Sequence, residues 1–302
     1  MYITGKQPDK LFLTKSLRSF VSTPQNNDLK ISTLKDSNYP RFSIVTPSFN
    51  QARFLERTIL SVLNQGYPNL EYIIIDGGST DGSVDIIKKY EPYLSYWVSE
   101  PDHGQANAIN KGLRIATGEW VGFQNSDDLY LPGAFFSLAR AIESNRDAEI
   151  VYGNIVHIDS DDNVYDVQMT GPAHRWLHVA QGIQFHNQAT IWRRSLLEKV
   201  GYLDEGLQFC MDFEYFGRLI FGERVRLHHV DQFLGAFRAH PSAKSKTMLE
   251  TAQREHSEVV RKFGRGYGSP TVKQAALALA KIYKALWYIL HGKGWYVMRN
   301  WR

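Results

Sequence analysis

Two adjacent carboxylates, Asp127 and Asp128, close the stretch Phe123-Gln124-Asn125-Ser126-Asp127-Asp128, directly after the apolar run Trp120–Phe123. A buried strand that ends in this way delivers acidic side chains to the carboxyl edge of a sheet, where α/β proteins bind ligands. Paired carboxylates at such an edge suit a hard divalent cation that also grips phosphate oxygens. Asp-Asp pairs cap helices as well, and Leu131-Pro132-Gly133 reads as a helix start, so capping stands beside metal binding here. A second acid at a strand end is Asp76, which follows a buried strand over residues 70–75 and opens Gly77-Gly78-Ser79-Thr80-Asp81-Gly82. Its carboxylate can accept a base N–H and so select uracil or another imide-bearing base. The alternative is an Asx-turn that holds the Gly77-Gly78 bend.

The elements that must position these groups are legible as alternating strand and helix patterns. Phe42-Ser43-Ile44-Val45 is a short strand, and Phe54, Ile59, Val62 and Leu63 then recur at helical spacing. Residues 70–75 form a second strand, followed by a helix from Thr80 or Asp81 to Tyr90; Tyr96-Trp97-Val98 is a third strand and 105–116 a helix. After the fourth strand come a helix over 131–144 and a strand at Ile150-Val151-Tyr152. This alternation predicts an α/β fold with a mostly parallel, Rossmann-like sheet and helices on both faces. Right-handed crossovers then bring Thr46, Asp76, Glu100, Asp127 and Asp128 to one sheet edge. Beyond residue 155 the spacing predicts a hairpin of Val156-His157-Ile158 with Asn163-Val164-Tyr165, a strand over 189–192, helices over 195–200 and 211–221, and strands over 225–228 and 233–237.

Bulk properties bound the possibilities. The 302 residues are 43% hydrophobic and 22% charged, ordinary values for a globular chain. The single cysteine, Cys210, excludes an intramolecular disulfide framework and fits a reducing compartment. The start of the chain does not read as a signal peptide, and no uncharged run reads as a membrane span. Charge is segregated: residues 1–40 carry +3, residues 41–258 carry −8, and residues 259–302 carry +9 with no acid after Glu258. A basic tail on an acidic body points to an anionic surface as partner.

Several motifs in register resemble the large inverting glycosyltransferase family numbered two, whose members have the GT-A fold. They are Val45-Thr46-Pro47-Ser48-Phe49-Asn50, Ile75-Asp76-Gly77-Gly78-Ser79-Thr80-Asp81-Gly82, Asn125-Ser126-Asp127-Asp128, Gly201-Tyr202-Leu203-Asp204-Glu205, and Asp212-Phe213-Glu214 with Arg218. The segment Ser99-Glu100-Pro101-Asp102-His103-Gly104-Gln105, with Ala108-Ile109-Asn110-Lys111-Gly112, is similar to the subgroup found in O-antigen and capsule assembly. One departure is that many members have two acids where this chain has Asp76-Gly77.

The resemblance implies a nucleotide-sugar donor, UDP-sugar favoured, and a bacterial surface-glycan or lipid-linked acceptor. It implies Mn²⁺ or Mg²⁺ held by Asp128, with His240 closing over the diphosphate or joining as a ligand, and Asp127 on ribose or the same ion. Thr46 would contact the nucleoside, with Pro47, Asn50 and Gly78 shaping the nucleotide site; Asn50 suits a turn or cap equally well. Asp102 and His186 would meet the donor sugar or acceptor, and Glu100 is a sugar contact or a structural acid. Asp212 would be the general base of a single displacement, with an N-cap as its other role. Glu214 and Arg218 suit an i,i+4 ion pair. Arg238, Lys244 and Lys246 are candidates for the diphosphate.

The expected organisation is an N-terminal extension outside the core over 1–40 and a GT-A domain over 41–263, with a nucleotide-binding half to 127 and an acceptor-binding half from 128. A basic, aromatic, amphipathic tail follows over 264–302. Lys273, Lys281, Lys284 and His291 fall on one stripe of that tail, with Trp287, Trp295 and Trp301 among its rings, which suits contact of residues 271–302 with anionic lipid. The alternative is docking on the catalytic domain or on a second subunit, so an oligomer is compatible with the sequence. No nucleic-acid motif accompanies the charge. The expected location is the cytoplasmic face of the inner membrane, held peripherally. The rival readings are a glycan-binding scaffold on the same fold and a sugar-1-phosphate nucleotidyltransferase. The latter needs a Gly- and Lys/Arg-rich loop where this chain has Pro47-Ser48-Phe49-Asn50-Gln51.

Overall fold

The computed structural model describes residues 7–24, 39–173, 177–179, 182–222, 225–264 and 269–300. A first helix, α1 (Lys10–Ser22), precedes the sheet. Strands β1 (Phe42–Ser48), β2 (Leu70–Asp76), β3 (Tyr96–Ser99) and β4 (Trp120–Phe123) then alternate with helices α2 (Ala52–Leu63), α3 (Ser83–Tyr90) and α4 (Gln105–Ile115). β1 pairs in parallel with both β2 and β4, and β2 with β3, so their carboxyl ends share one edge. β4 is buried along its whole length, which is why it reads as a continuous apolar run instead of an alternating one; β1 is equally buried, although it carries Ser43, Thr46 and Ser48. Successive residues still serve opposite faces: Ile44, Tyr72, Ile74 and Trp120 pack on one side of the sheet, Val45, Ile73, Ile75 and Val121 on the other.

The second half extends the same sheet with strands of both directions. β5 (Leu129–Tyr130), α5 (Ala134–Ser144), β6 (Ile150–Ile158), β7 (Val164–Gln168), β8 (Thr190–Arg193) and α6 (Ser195–Val200) lead to α7 (Met211–Gly222) and β9 (Leu227–Arg238). The strand order is β3-β2-β1-β4-β8-β6-β9-β5, with β7 on β6. β8 lies antiparallel between β4 and β6, and so joins the two halves into one sheet. Helices α8 (Lys244–Thr247), α9 (Leu249–Phe263), α10 (Pro270–Leu290) and α11 (Gly294–Asn300) complete the chain. The α/β fold predicted from the spacing is the fold observed.

Besides the merging of the strands predicted at 150–152 and 156–158 into β6, three expectations change. The two short strands predicted over 225–228 and 233–237 are one strand, β9, because a bulge absorbs the polar pair between them. The register steps from Gly153 opposite Val230 to Asn154 opposite Phe233, which leaves Asp231 and Gln232 extra, and Asn154 bonds Asp231 across the bulge at 3.2 Å. The helix predicted from residue 131 starts at Ala134, since Leu129–Tyr130 pair with β9 and Gly133 turns the chain at φ 75°.

The third change concerns residues 1–40, expected outside the core. Residues 25–38 lie outside the described residues, but α1 is a core element. Asp9 caps it by accepting from the amides of Leu11 at 2.9 Å and Phe12 at 3.2 Å. Leu13, Leu17, Phe20 and Val21 are buried against Leu129, Val156, Ile158, Val164 and Phe233. Arg18 donates to the carbonyl of Asp161 at 2.7 Å, and the Thr14 hydroxyl accepts from the Val164 amide at 2.9 Å. The helix therefore covers the β5–β9 side of the sheet. Leu17 is 0% exposed, so Leu17→Ala should lower the unfolding free energy by about 2–5 kcal/mol in urea denaturation. A change below about 1 kcal/mol would show that α1 is not part of the cooperative core.

Candidate active site

The loops that leave the carboxyl ends of β1 to β4 open onto a cavity of about 810 Å³, closed on its other side by residues 182–188, the start of α7 and the segment around Lys244. Asp102, Asp127, Asp128, His186 and Asp212 all line it.

The adjacent acids divide. Asp128 is 1% exposed and surrounded by donors: its Oδ1 accepts from the Arg238 amide at 2.8 Å, and its Oδ2 from Gln188 Nε2 at 2.7 Å and Asn125 Nδ2 at 3.0 Å. Burial and the neighbouring Asp127 raise its pKa against the pull of those donors. Asp127 is the more open of the two, and its Oδ2 lies 3.0 Å from His240 Nε2. His240 is otherwise fixed by Ser242 Oγ at 2.9 Å from Nδ1 and by the Phe54 ring at 4.6 Å. Two cis ligands of an octahedral ion bound at about 2.1 Å stand about 3 Å apart, so Asp127 and His240 fit the donor set of Mg²⁺ or Mn²⁺ better than Asp128 does. Among the described residues no three metal-ligating side chains converge, so an ion here would take its remaining ligands from diphosphate and water.

Arg238, a candidate for the diphosphate, is spent in the scaffold. It is 1% exposed, its guanidinium donates to the carbonyls of Asp127 at 2.6 Å and Asp159 at 3.1 Å, and it pairs with Asp162 at 2.6 Å. Lys244 is better placed: it lines the cavity, and its Nζ reaches Gln105 Oε1 at 2.8 Å and the Gln208 carbonyl at 3.2 Å.

On the nucleotide side the structure reassigns several residues. Asp76 is 0% exposed; its Oδ2 accepts from the amides of Gly78 at 3.1 Å and Ser79 at 2.8 Å and from Ser99 Oγ at 2.7 Å, and its Oδ1 from Ser79 Oγ at 2.6 Å. These bonds are the Asx-turn role; they leave no vacant side from which to contact a base. Thr46 is also buried and bonds the Tyr72 hydroxyl at 3.1 Å, away from the cavity wall. Asn50, at φ 52°, accepts from the Thr80 amide at 2.9 Å and so ties the first loop to the second. Gly78 makes the left-handed turn at φ 83°, while Pro47 and Gly77 line the cavity itself. Glu100 pairs with Lys111 at 2.7 Å in solvent and does not line the cavity. Phe49, which sequence reasoning passed over, lines the cavity while 59% exposed. Its only signal in the sequence is an aromatic residue in a strand-end loop.

His186 meets Gln168 Nε2 through its own Nε2 at 2.8 Å, and Gln168 Oε1 meets His157 Nε2 at 3.0 Å. An amide nitrogen only donates, so the His186 proton resides on Nδ1. Burial, then His157 and Lys284, push its pKa down to about 4, and the ring is neutral near pH 7.

Asp212 stands in the first turn of α7, and its Oδ1 accepts from the Phe213 amide at 2.7 Å. Burial raises its carboxyl to about 6, opposed by that amide and its own. Asp212 does not cap α7. The loop amides leading into the helix, of Gln208, Phe209 and Cys210, each donate at 2.9 Å to Glu255 of α9. Those amides outweigh burial and hold the Glu255 carboxyl below its ordinary value. Glu214 and Arg218 form the expected i,i+4 pair at 2.9 Å, and Arg218 carries it to the Tyr202 carbonyl at 2.5 Å. Glu205 accepts from Asn107 at 2.7 Å and Asn110 at 2.8 Å, binding the 201–205 segment to α4.

Comparison with known proteins gives the family and the fold. The sequence profile of glycosyl transferase family 2 matches residues 43–201, just over half of the chain. An uncharacterized glycosyltransferase of Haemophilus influenzae is 30% identical over 164 residues, 53% of this chain and 65% of that protein. One of Mycobacterium tuberculosis is 31% identical over 186 residues, 58% of this chain and 67% of that protein. The chain thus spans about two thirds of the length of these relatives. A PGL/p-HBAD biosynthesis glycosyltransferase of Mycobacterium bovis is 33% identical over 121 residues, 39% of this chain and 47% of that protein. In fold the chain is similar to S. aureus TarS residues 1–349 in complex with UDP-GlcNAc, with a TM-score of 0.63 at 18% identity over 80% of this chain and 71% of that one. The chain belongs to glycosyl transferase family 2 and is a glycosyltransferase of GT-A-like fold.

Proposed function

We propose that the cavity moves a glycosyl group from a nucleoside-diphosphate sugar, a UDP-sugar first among them, to a hydroxyl of a bacterial surface glycan or lipid-linked acceptor, with inversion. The observation that carries this reading is that Asp127 and Asp212, from different elements, share one cavity while differing in environment. Asp127 faces His240 and suits a cation; Asp212 is poor in donors and suits a proton. UDP as the donor nucleotide is supported by the TarS structures, which hold UDP-GlcNAc and UDP. A role in a biosynthetic assembly is supported by the Mycobacterium bovis relative, a glycosyltransferase of PGL/p-HBAD biosynthesis.

Asp127 and His240 would hold the divalent ion, which when bound neutralises charge on the departing diphosphate. The exposed face of Phe49 offers the base a stacking surface. His186, neutral with its proton on Nδ1, orients a sugar hydroxyl without carrying charge. Asp212 removes the proton from the acceptor hydroxyl as that oxygen attacks the anomeric carbon. The bond from that carbon to the diphosphate oxygen breaks on the opposite face, and its electron pair leaves with the nucleoside diphosphate. A carboxyl raised to about 6 is a stronger base than an ordinary one and is still ionised at neutral pH.

The tail supports a membrane seat. One face of α10 docks on the domain: Tyr288 donates to the Met169 carbonyl at 2.8 Å, and Ala280 and Ala285 are buried. α11 pairs Arg299 with Asp166. The other face of α10 exposes Leu279, Ile282, Leu286, Ile289 and Leu290, with Lys281 also exposed. Trp301 lies outside the described residues. No helix among the described residues is long and apolar enough to cross a membrane, so this face would lie along an anionic surface, the cytoplasmic leaflet of an inner membrane.

Three outcomes are expected. In calorimetry, Mn²⁺ should strengthen UDP binding by the wild type, and Asp127→Ala should lose that gain; a folded wild type that binds no nucleotide would sink the transferase reading. Asp212→Asn should leave UDP affinity intact and cut turnover by about 10²–10⁴-fold, and wild-type kcat/KM should fall tenfold per pH unit below about 6, where the base is protonated. An acid limb unchanged in the variant would assign the base elsewhere. In sedimentation assays the protein should bind phosphatidylglycerol vesicles and not phosphatidylcholine ones, and Leu286→Asp with Ile289→Asp should abolish binding. Equal recovery with both vesicle types would argue against an electrostatic membrane seat.

A further inference from the structure

On the nucleotide-sugar reading, some side chain must read the base. An imide N–H of uracil needs an acceptor at the nucleotide end of the cavity. Asp76, the acid that ends β2, is already surrounded by four donors and 0% exposed, and residue 77 is a glycine with no carboxylate to offer. The space beside Gly77 is nevertheless filled. A Cβ placed on Gly77 would stand 2.6 Å from Asp102 Oδ2 and 3.0 Å from Asp102 Cγ. The Asp102 carboxylate therefore occupies the position where the side chain of an acid at 77 would begin. Gly77 is not among the residues of positive φ, so its conformation does not itself demand glycine. The glycine is needed because Asp102 is there.

Asp102 is built for recognition. Its Oδ1 accepts from the Gly104 amide at 2.8 Å, which fixes the rotamer, and Pro101 stiffens the loop before it. Its Oδ2 has no hydrogen-bond donor among the described residues, and the residue lies against Gly77 and lines the same cavity as Pro47 and Phe49.

We infer that Asp102 reads the nucleobase, accepting the N3–H of a uracil or thymine ring stacked on Phe49, so that a carboxylate from the loop after β3 stands in for one that position 77 lacks. This replaces the donor-sugar contact expected of Asp102. A base with a lone pair at N3 places that lone pair against the carboxylate and is disfavoured.

The test is calorimetric titration, with Mn²⁺ present, of UDP and of 3-methyl-UDP, in which a methyl group replaces the N3–H donor. Losing a hydrogen bond to a charged acceptor should weaken 3-methyl-UDP by roughly tenfold or more against UDP in the wild type. Asp102→Ala, and the isosteric Asp102→Asn as a guard against misfolding, should erase most of that ratio. The exchange Gly77→Asp with Asp102→Gly should restore it, because the acid returns from the other side of the same space. A wild-type ratio retained in Asp102→Ala, or no ratio in the wild type while UDP binds well, overturns the inference and leaves the transferase reading intact. Failure of the wild type to bind either nucleotide overturns both.

Discussion

A carboxylate as deeply buried as that of Asp128 is tolerated only when donors meet both of its oxygens. Here they come from separate parts of the chain: the Arg238 amide from the end of β9, Gln188 from the turn before β8, and Asn125 from the loop after β4. None of these segments can shift without stranding a buried charge. The Arg238 side chain extends the constraint, since it holds the Asp127 carbonyl and reaches across to Asp162 in the β6–β7 turn. Asp127 is thereby held facing the cavity and His240. The more open acid is placed by the buried one.

The opposite wall follows the same rule through Glu255, whose carboxylate gathers the amides that lead into α7 and seats the first turn of that helix. Three half- or fully buried acids thus separate by their donors. Asp128 and Glu255 are surrounded by them and act as pins; Asp212 has little beyond its own turn, and its proton affinity rises. That difference in surroundings, and not residue type, is what favours Asp212 as the proposed base.

The α/β alternation and the convergence of strand ends were legible because parallel strands leave continuous apolar runs ended by polar turns. The site was legible to the level of segments, less so to single residues. Asp127 and Asp128 are equivalent in composition, and only the backbone direction after β4 decides which one faces inward. Asp76 reads as a ligand acid until its four donors are counted, one of which, Ser99, lies on another strand. Residues 1–40 read as polar because the partners of Leu13 and Leu17 are Val156 and Phe233, far away in sequence. The bulge in β9 hid a long strand behind Asp231 and Gln232. The Asp102–Gly77 exchange needed coordinates, since nothing in local spacing relates the two loops.

The account rests on a single displacement promoted by Asp212 across the sugar from the diphosphate. The most direct measurement is ¹H NMR of slow donor hydrolysis by the enzyme, recorded before the released sugar mutarotates. From an α-linked UDP-sugar the β-anomer should accumulate first, and Asp212→Asn should suppress it. Early accumulation of the α-anomer would contradict the inverting assignment and the role given to Asp212.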